Sequence, residues 1–119
     1  MAEENSKLTI QKRTDVTIVE FLDRNILDEA SIYQIGQEIS ELIDDASDPK
    51  LLISFANVDH LSSAALGTLI TINKKIRQKD GQLRLANIDP QIYEVFVITK
   101  LNDLFQIHEN TQQALASFN

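Results

Sequence analysis

The sequence predicts an α/β domain in which about four helices pack against a small mixed β-sheet of about five strands, in the order ββαβαβαβα. Short apolar or alternating segments, typical of strands, alternate along the chain with longer segments whose apolar residues recur every three or four positions, as in helices. The chain has 119 residues, 43% of them hydrophobic, which is enough for one domain with its own core. We therefore expect a single domain over residues 1–119, with residues 1–6 as a flexible N-terminal tail.

Composition argues against several kinds of chemistry. Cysteine is absent, which excludes disulfides, thiol nucleophiles and cysteine-ligated zinc. His60 and His108 are the two histidines, and the three glycines, Gly36, Gly67 and Gly81, form no phosphate-binding loop. We therefore expect neither a metal nor a cofactor, and a nucleotide-dependent enzyme is not favoured.

The formal net charge is −7, from 11 basic and 18 acidic residues. This balance opposes binding to nucleic acid or to anionic lipid, so another protein is the expected partner. The N-terminus lacks the apolar core of a signal peptide and no stretch has the ~20 apolar residues that cross a bilayer, which predicts a cytoplasmic protein that does not bind membranes. One cationic cluster lies near the end of a predicted helix, where cations stabilise the dipole, and is interpreted as a solvated face. It comprises Lys74, Lys75, Arg77 and Lys79.

The first half of the chain predicts a hairpin followed by a helix. Residues 7–11 and 15–21 alternate as in two antiparallel strands, whereas residues 23–28 have no clean period and are expected to form a loop. A helix is expected from about residue 29 to residue 46, with Asp28 as its N-cap. Its apolar stripe consists of Ile32, Ile35, Ile39 and Leu42.

The middle of the chain predicts a strand, a helix and a second strand. Residues 51–55 are nearly continuously apolar, as in a strand buried on both faces, and are expected to be central. A helical pattern follows to about residue 78, and Gly81 beyond it is expected in the left-handed C′ position. Residues 82–86 supply the next strand, which completes a right-handed parallel crossover. The inward face of the helix is formed by Ala65, Leu69, Ile72 and Ile76.

The C-terminal part predicts a helix, a strand and a last helix. The first helix begins at Pro90 after an Asp89 cap, a short strand covers residues 104–107, and Asn110 or Thr111 can cap the last helix. The residues expected to be buried are Ile92, Val95, Phe96, Ala114, Leu115 and Phe118.

The corner over residues 58–67 joins the central strand to the following helix and carries two adjacent hydroxyls, Ser62 and Ser63. Either can cap the helix by accepting a hydrogen bond from a first-turn amide, worth ~1 kcal/mol, but a cap accounts for only one of them. A phosphate on a hydroxyl here would be accommodated by free amides and by the positive end of the helix dipole. A hydrolase using Ser63 with His60 is the less favoured alternative, because nothing identifies an oxyanion hole. We therefore do not expect an enzyme.

Four segments resemble a known family. They are Val-Asp-His-Leu-Ser-Ser-Ala-Ala-Leu-Gly over residues 58–67, Lys-Lys-Ile-Arg-Gln-Lys-Asp-Gly-Gln-Leu-Arg-Leu-Ala-Asn over residues 74–87, and Pro-Gln-Ile-Tyr-Glu-Val-Phe with Leu-Asn-Asp-Leu-Phe-Gln-Ile beyond them. Together they resemble the STAS domain of bacterial anti-sigma factor antagonists, and the resemblance runs from about Leu8 to Phe118. It implies the STAS fold.

The resemblance also implies a function. Family members bind an anti-sigma factor that is also a serine kinase, of the histidine-kinase-like ATPase type, and thereby free a sigma factor for transcription. The kinase breaks the complex by phosphorylating a serine at the corner, and a serine phosphatase restores it. Alignment of the family pattern Asp-Ser-Ser/Thr-Gly-Leu-Gly on Leu66-Gly67 places Ser62 on the aspartate and Ser63 on the acceptor. The resemblance therefore implies Ser63 as the phosphoacceptor, with Ser62 as the alternative.

The expected partner-binding surface combines the corner, the loop before the first helix and one face of the second helix. Asp28, and after it Asp23, matches the acidic residue that family members keep near the corner. Gly67 permits close approach, and neither it nor Thr71 belongs to the buried stripe. The complete set is Asp23, Asp28, Asp59, His60, Ser62, Ala64, Ala65, Gly67 and Thr71. The alternative function is a non-phosphorylated STAS scaffold or sensory module that binds a small ligand or other proteins.

Overall fold

The computed structural model of the protein describes residues 6–118. Within them the strands and helices alternate as the sequence predicts, with two additional short strands. The strands are β1 (Leu8–Arg13), β2 (Val16–Phe21), β3 (Asn25–Ile26), β4 (Lys50–Ser54), β5 (His60–Leu61), β6 (Gln82–Ala86) and β7 (Gln106–His108). The helices are α1 (Glu29–Asp44), α2 (Ser63–Gln78), α3 (Pro90–Ile98) and α4 (Thr111–Ala116), with a 3-10 turn at Leu101–Asp103.

The main sheet has five strands in the order β1-β2-β4-β6-β7. Strands β1 and β2 are antiparallel to each other, whereas β2, β4, β6 and β7 run parallel to one another. The predicted α/β fold, with a five-stranded mixed sheet and four helices, is therefore confirmed. The predicted central strand is also confirmed, because β4 occupies the middle of the sheet and its residues 51–54 are buried.

The two faces of the sheet are covered unequally. The larger cluster of buried residues lies between one face and helices α1, α2 and α3. It contains Phe21 and Phe55, whose rings are tilted by 54° with centroids 5.2 Å apart. The smaller cluster lies on the other face, where Ala114 of α4 packs near Ile18 and Leu52. Because burial of each large apolar side chain contributes about 1.5–3 kcal/mol, the face that carries three helices dominates the stability of the fold.

The loop predicted over residues 23–28 is partly wrong, because it contains β3. Asn25 and Ile26 pair in parallel with His60 and Leu61 of β5, which lies in the corner. A two-residue ladder is too short to show a hydrophobic period, so no sequence pattern predicts it. The Ile26 side chain is 2% exposed and anchors this ladder in the main core.

Two further expectations need correction, and a third is not tested by the described residues. Val95 is 40% exposed, because Ile92 and Phe96 are the residues by which α3 contacts the core. The last strand covers residues 106–108 instead of 104–107; Phe105 is nevertheless buried, with its ring 6.0 Å from that of Phe96. An N-terminal tail was expected over residues 1–6, of which 1–5 lie outside the described residues.

Gly81 does not adopt the left-handed conformation expected of it. Asp80 takes that position, with φ of 58°, and the structure contains no glycine with positive φ among the described residues. Gly81 is required for a different reason: a Cβ at this position would collide with the backbone oxygen of Pro49, which also accepts a hydrogen bond from the amide of Gln82. The close approach joins the start of β6 to the segment that leads into β4.

The contrast between two glycines gives a matched stability test. Gly81→Ala should lower the free energy of unfolding by about 1–3 kcal/mol, because the added methyl group has no space. Gly67→Ala should raise it by about 0.5–1 kcal/mol, because Gly67 lies inside α2 and a Cβ there meets nothing within 4 Å. Urea unfolding of both variants measures the two effects. Equal stability of Gly81→Ala and the wild type would contradict the proposed collision.

Candidate functional site

The corner before α2 is fastened to the segment that carries β3. The carbonyl oxygen of Arg24 accepts hydrogen bonds from the amides of Asp59 and His60, at 2.7 and 3.3 Å, and the carbonyl oxygen of Ile26 accepts one from the amide of Ser62 at 3.0 Å. These backbone bonds join two stretches that lie 35 residues apart in the sequence. They place the loop beside the corner.

Two side-chain contacts reinforce this ladder. Arg24 Nε lies 2.8 Å from Asp59 Oδ2, and His60 Nδ1 lies 2.7 Å from Asn25 Oδ1. All four residues are at least partly exposed, so the ion pair contributes about 0–1 kcal/mol and mainly orients the side chains. Sequence reasoning missed Arg24 and Asn25, because their partners are distant in the chain. Asp59 and His60 were expected to contact a partner, and both are engaged in holding the corner.

Ser62 is the N-cap of α2. Its hydroxyl oxygen accepts a hydrogen bond from the amide of Ala65 at 3.2 Å, and its backbone is extended, with φ of −83° and ψ of 166°. The side chain is half-buried. The structure thus resolves which of the two adjacent hydroxyls caps the helix.

Ser63 is the first residue of α2 and is exposed. Within residues 6–118 its hydroxyl has no hydrogen-bond partner, and the amides of Ser63 and Ala64 have no acceptor. These groups sit at the positive end of a 16-residue helix whose first turn carries no acidic residue. The arrangement offers a free nucleophilic hydroxyl beside amides that can bind an anion.

The two acidic residues nominated on the loop already have partners. Asp28 caps α1, where its carboxylate accepts a hydrogen bond from the amide of Ser31 at 2.7 Å. That backbone hydrogen bond, followed by one from the Ser31 hydroxyl, holds the pKa of Asp28 below its ordinary value. Asp23 lies 3.6 Å from Lys7 Nζ. Both carboxylates remain at the surface, so an internal role does not prevent contact with a partner.

A groove between α1 and α2 extends from the corner. Gly36 lets the two helices approach closely, because a Cβ at its position would lie 3.2 Å from Thr68. Gly67 and Thr71 are exposed in this groove, and Thr71 donates its hydroxyl hydrogen to the carbonyl of Gly67. Tyr33 is 69% exposed. The lining residues of this α1–α2 groove are Ile32, Tyr33, Gly36, Gln37, Ser40, Ala64, Gly67, Thr68, Thr71 and Ile72.

One nominated residue does not lie on this surface. Ala65 is 5% exposed and packs in the main core, so the expectation that it contacts a partner is corrected. Its helical phase explains the burial, because it shares a face with Leu69 and Ile72. Ala64, which precedes it, is exposed and lines the α1–α2 groove. The surface therefore begins at Asp59 and continues along one side of α2.

The chain belongs to the STAS domain family. The family model for the STAS domain matches residues 7–114, which covers the whole main sheet and most of α4. The corner and the α1–α2 groove both lie inside the matched region.

Several relatives are described as anti-sigma factor antagonists. BtrV of Bordetella bronchiseptica, provisionally assigned to that class, is 27% identical over 112 residues, which is 94% of each chain. The anti-sigma-B factor antagonist of Staphylococcus epidermidis is 32% identical over 60 residues, which is 50% of this chain and 56% of the relative. This chain is a distant relative of such antagonists.

Solved structures share the fold. A STAS domain protein from Planctomyces limnophilus, described as an anti-sigma-factor antagonist, superposes with a TM-score of 0.85 at 22% identity, over 94% of this chain and 97% of that one. The Bacillus cell fate determinant SpoIIAA in its phosphorylated form gives a TM-score of 0.69 at 17% identity, over 92% and 96%. At these identities the likeness concerns the fold alone.

Membrane insertion was not expected from the sequence. None of the helices within residues 6–118 is both long enough and apolar enough to span a bilayer.

Replacing Ser62 and replacing Ser63 should have different effects on the free energy of unfolding. Ser62→Ala removes the acceptor for the Ala65 amide and should lower the free energy of unfolding by about 1 kcal/mol. Ser63→Ala removes a hydroxyl without a partner and should change that free energy by less than about 0.5 kcal/mol. Chemical denaturation of both variants measures the difference. A larger loss for Ser63→Ala than for Ser62→Ala would contradict the assignment of the cap.

Proposed function

We propose that this protein is an anti-sigma factor antagonist that switches partners when Ser63 is phosphorylated. Its partner is an anti-sigma factor that is also a serine kinase, of the histidine-kinase-like ATPase type, and a serine phosphatase reverses the modification. The chain itself acts by binding and not by catalysis. The observation that carries the proposal is the contrast at the corner: the Ser62 hydroxyl caps α2, while the adjacent Ser63 hydroxyl is exposed and unpartnered within the described chain.

The site can accept a phosphate without a change of fold. The kinase would transfer the terminal phosphoryl group of ATP to the Ser63 oxygen, releasing ADP and the hydroxyl proton. The new group would carry nearly two negative charges, and the amides of Ser63 and Ala64 together with the helix dipole would stabilise it. Because the cap is made by Ser62, modification of Ser63 removes no internal hydrogen bond.

The same charge would oppose the docking of a partner. The side chains next to Ser63 along the groove are small and uncharged: they belong to Ala64, Gly67 and Thr68. A partner surface that fits closely there would have to desolvate the phosphate without a matching cation, at a cost of several kcal/mol. Phosphorylation would thus release the partner while the domain remains folded.

Gly67 supports docking in the α1–α2 groove. A glycine inside a helix costs about 0.5–1 kcal/mol relative to alanine, and nothing in the described chain occupies the place of its missing side chain. Internal packing therefore gives no reason for a glycine here. Tyr33 on the opposite wall offers a large, exposed aromatic group of the kind that often dominates the affinity of a protein interface.

The comparisons favour this class of function because the named relatives are anti-sigma factor antagonists. The alternative is a STAS module that binds a protein or small ligand without being phosphorylated. It is consistent with Ser62 standing where the family pattern has aspartate, since kinases often recognise residues beside the acceptor. Identification of the phosphorylated residue separates the two.

Phosphate mapping tests the proposed acceptor. The protein is isolated from its own cells and its phosphopeptides are fragmented in a mass spectrometer, in parallel with Ser63→Ala and Ser62→Ala variants expressed in the same cells. We expect phosphate on Ser63 in the wild type and in Ser62→Ala, and none in Ser63→Ala. Modification that persists in Ser63→Ala would refute Ser63 as the acceptor. Unmodified wild type under all growth conditions would favour the non-phosphorylated alternative.

A further inference from the structure

Helix α2 has a second flank that is not part of the α1–α2 groove. A separate groove, here named the basic groove, runs between this flank and the segment that leads into β7. Its lining residues are Ile70, Asn73, Lys74, Arg77, Gln78 and Leu104. Beyond Arg77 it continues toward the start of β6, where Gln82 and Gln106 line it.

The cationic cluster of α2 divides between the two flanks. Lys75 lies 3.1 Å from Asp44, and Lys79 donates hydrogen bonds to the carbonyl oxygens of Ile43 and Asp44, so these two lysines hold α2 to α1. Lys74 and Arg77, by contrast, have no carboxylate within ion-pair distance in residues 6–118, and both line the basic groove. The helix dipole does not distinguish the two pairs, because Arg77 as well as Lys75 lies in the last turn of α2. The distinction lies in the ion-pair and hydrogen-bond partners that the first pair has and the second lacks in the described chain.

A third positive charge lies behind the groove. Arg84 of β6 is 7% exposed, and its guanidinium donates hydrogen bonds to Ser117, to the Gln82 side chain and to the backbone of Leu83. All of these acceptors are neutral, so no carboxylate in the described chain compensates the charge. Arg84 lines the end of the groove at β6, but its guanidinium lies on the α4 face of the sheet, against Ser117 and the ring of Phe118. Lys74 and Arg77 are therefore the cations of α2 that line the groove directly.

Asn73 adds an unused polar group. The residue is 9% exposed, and its amide, which is accessible from the groove, forms no hydrogen bond to any residue from 6 to 118. Asn73 lines both ends of the groove, so a bound molecule could reach it. A peptide backbone supplies the donor and the acceptor that its amide lacks.

We propose that the basic groove binds an extended acidic peptide segment of a partner protein. Lys74 and Arg77 bind the carboxylates of the segment, the Asn73 amide binds its backbone, and an apolar side chain contacts Ile70 and Leu104, each 38% exposed. A short segment fits better than nucleic acid or an anionic membrane, because the net charge of −7 repels an extended polyanion outside the groove. This surface is separate from Ser63, so the segment can remain bound whether or not the corner is occupied.

The test uses a fluorescein-labelled peptide, Gly-Glu-Asp-Leu-Glu-Asp-Gly, and its uncharged counterpart, Gly-Gln-Asn-Leu-Gln-Asn-Gly, in fluorescence anisotropy. We expect the acidic peptide to bind and the uncharged peptide not to bind. Binding of the acidic peptide should weaken several-fold when the salt concentration rises from about 50 mM to about 300 mM. The double variant Lys74→Ala/Arg77→Ala should bind at least tenfold more weakly. The matched control is Lys12→Ala/Arg13→Ala on the exposed strand β1, which removes the same charge and should bind like the wild type.

A charge-reversal variant distinguishes loss of the binding site from loss of folding. Lys74→Glu/Arg77→Glu should lose the acidic peptide and bind Gly-Lys-Lys-Leu-Lys-Lys-Gly, while a thermal unfolding scan confirms that it is folded. Equal weakening in the two alanine double variants would show a general charge effect and overturn the proposal. So would equal binding of the uncharged peptide, or binding of a single-stranded RNA or of phosphatidylglycerol vesicles in the absence of peptide binding.

Discussion

The hydrogen bonds of Ser62 are the contacts on which the rest of the site depends. Its amide donates to the carbonyl of Ile26 and its hydroxyl accepts from the amide of Ala65. The first bond ties the corner to the loop after β2, and the second fixes where α2 begins. Because Ser62 makes both the bond to the loop and the cap of α2, the next residue, Ser63, stands at the helix N-terminus without a structural role. The separation of a structural serine from an available one follows from this single residue.

Helix α2 then organises two surfaces with different chemistry. One flank packs beside α1 and carries an uncharged groove that contains Gly67 and the exposed ring of Tyr33. The other flank carries Lys74 and Arg77 beside the unpaired Asn73 amide. The two outward flanks are possible because α2 buries only one stripe of apolar residues against the sheet. A single helix therefore presents an uncharged surface next to Ser63 and a second, basic one.

Much of the fold could be predicted from the sequence, because the relevant patterns are local and long. The continuous apolar run of β4 and the apolar repeats of α1 and α2 each have one physical solution, namely burial in or against the sheet. The β3–β5 ladder could not be predicted, because it is two residues long and joins distant segments. The sequence indicated that Gly81 has a special role, but it predicted a left-handed turn where the structure has a close backbone approach. Both situations require glycine, so the residue type alone could not distinguish them.

The site was predicted in part for the same reason. The cap at the start of α2 was expected, but the choice between two adjacent hydroxyls depends on backbone angles that a sequence does not contain. Ala65 was nominated for its place in the corner, although its helical phase already directed it inward. Arg24, Asn25 and Tyr33 were missed as contributors, because their importance arises from neighbours that only the folded chain supplies.

The central claim is that a phosphate on Ser63 controls partner binding and leaves the fold intact. The most direct measurement is isothermal titration calorimetry of the anti-sigma factor against unmodified protein and against protein phosphorylated on Ser63, with circular dichroism of both forms. We predict that the phosphate weakens binding by about 100-fold or more, equivalent to about 2.7 kcal/mol, while the two spectra coincide. Equal affinities for the two forms, or unfolding of the phosphorylated form, would contradict the account.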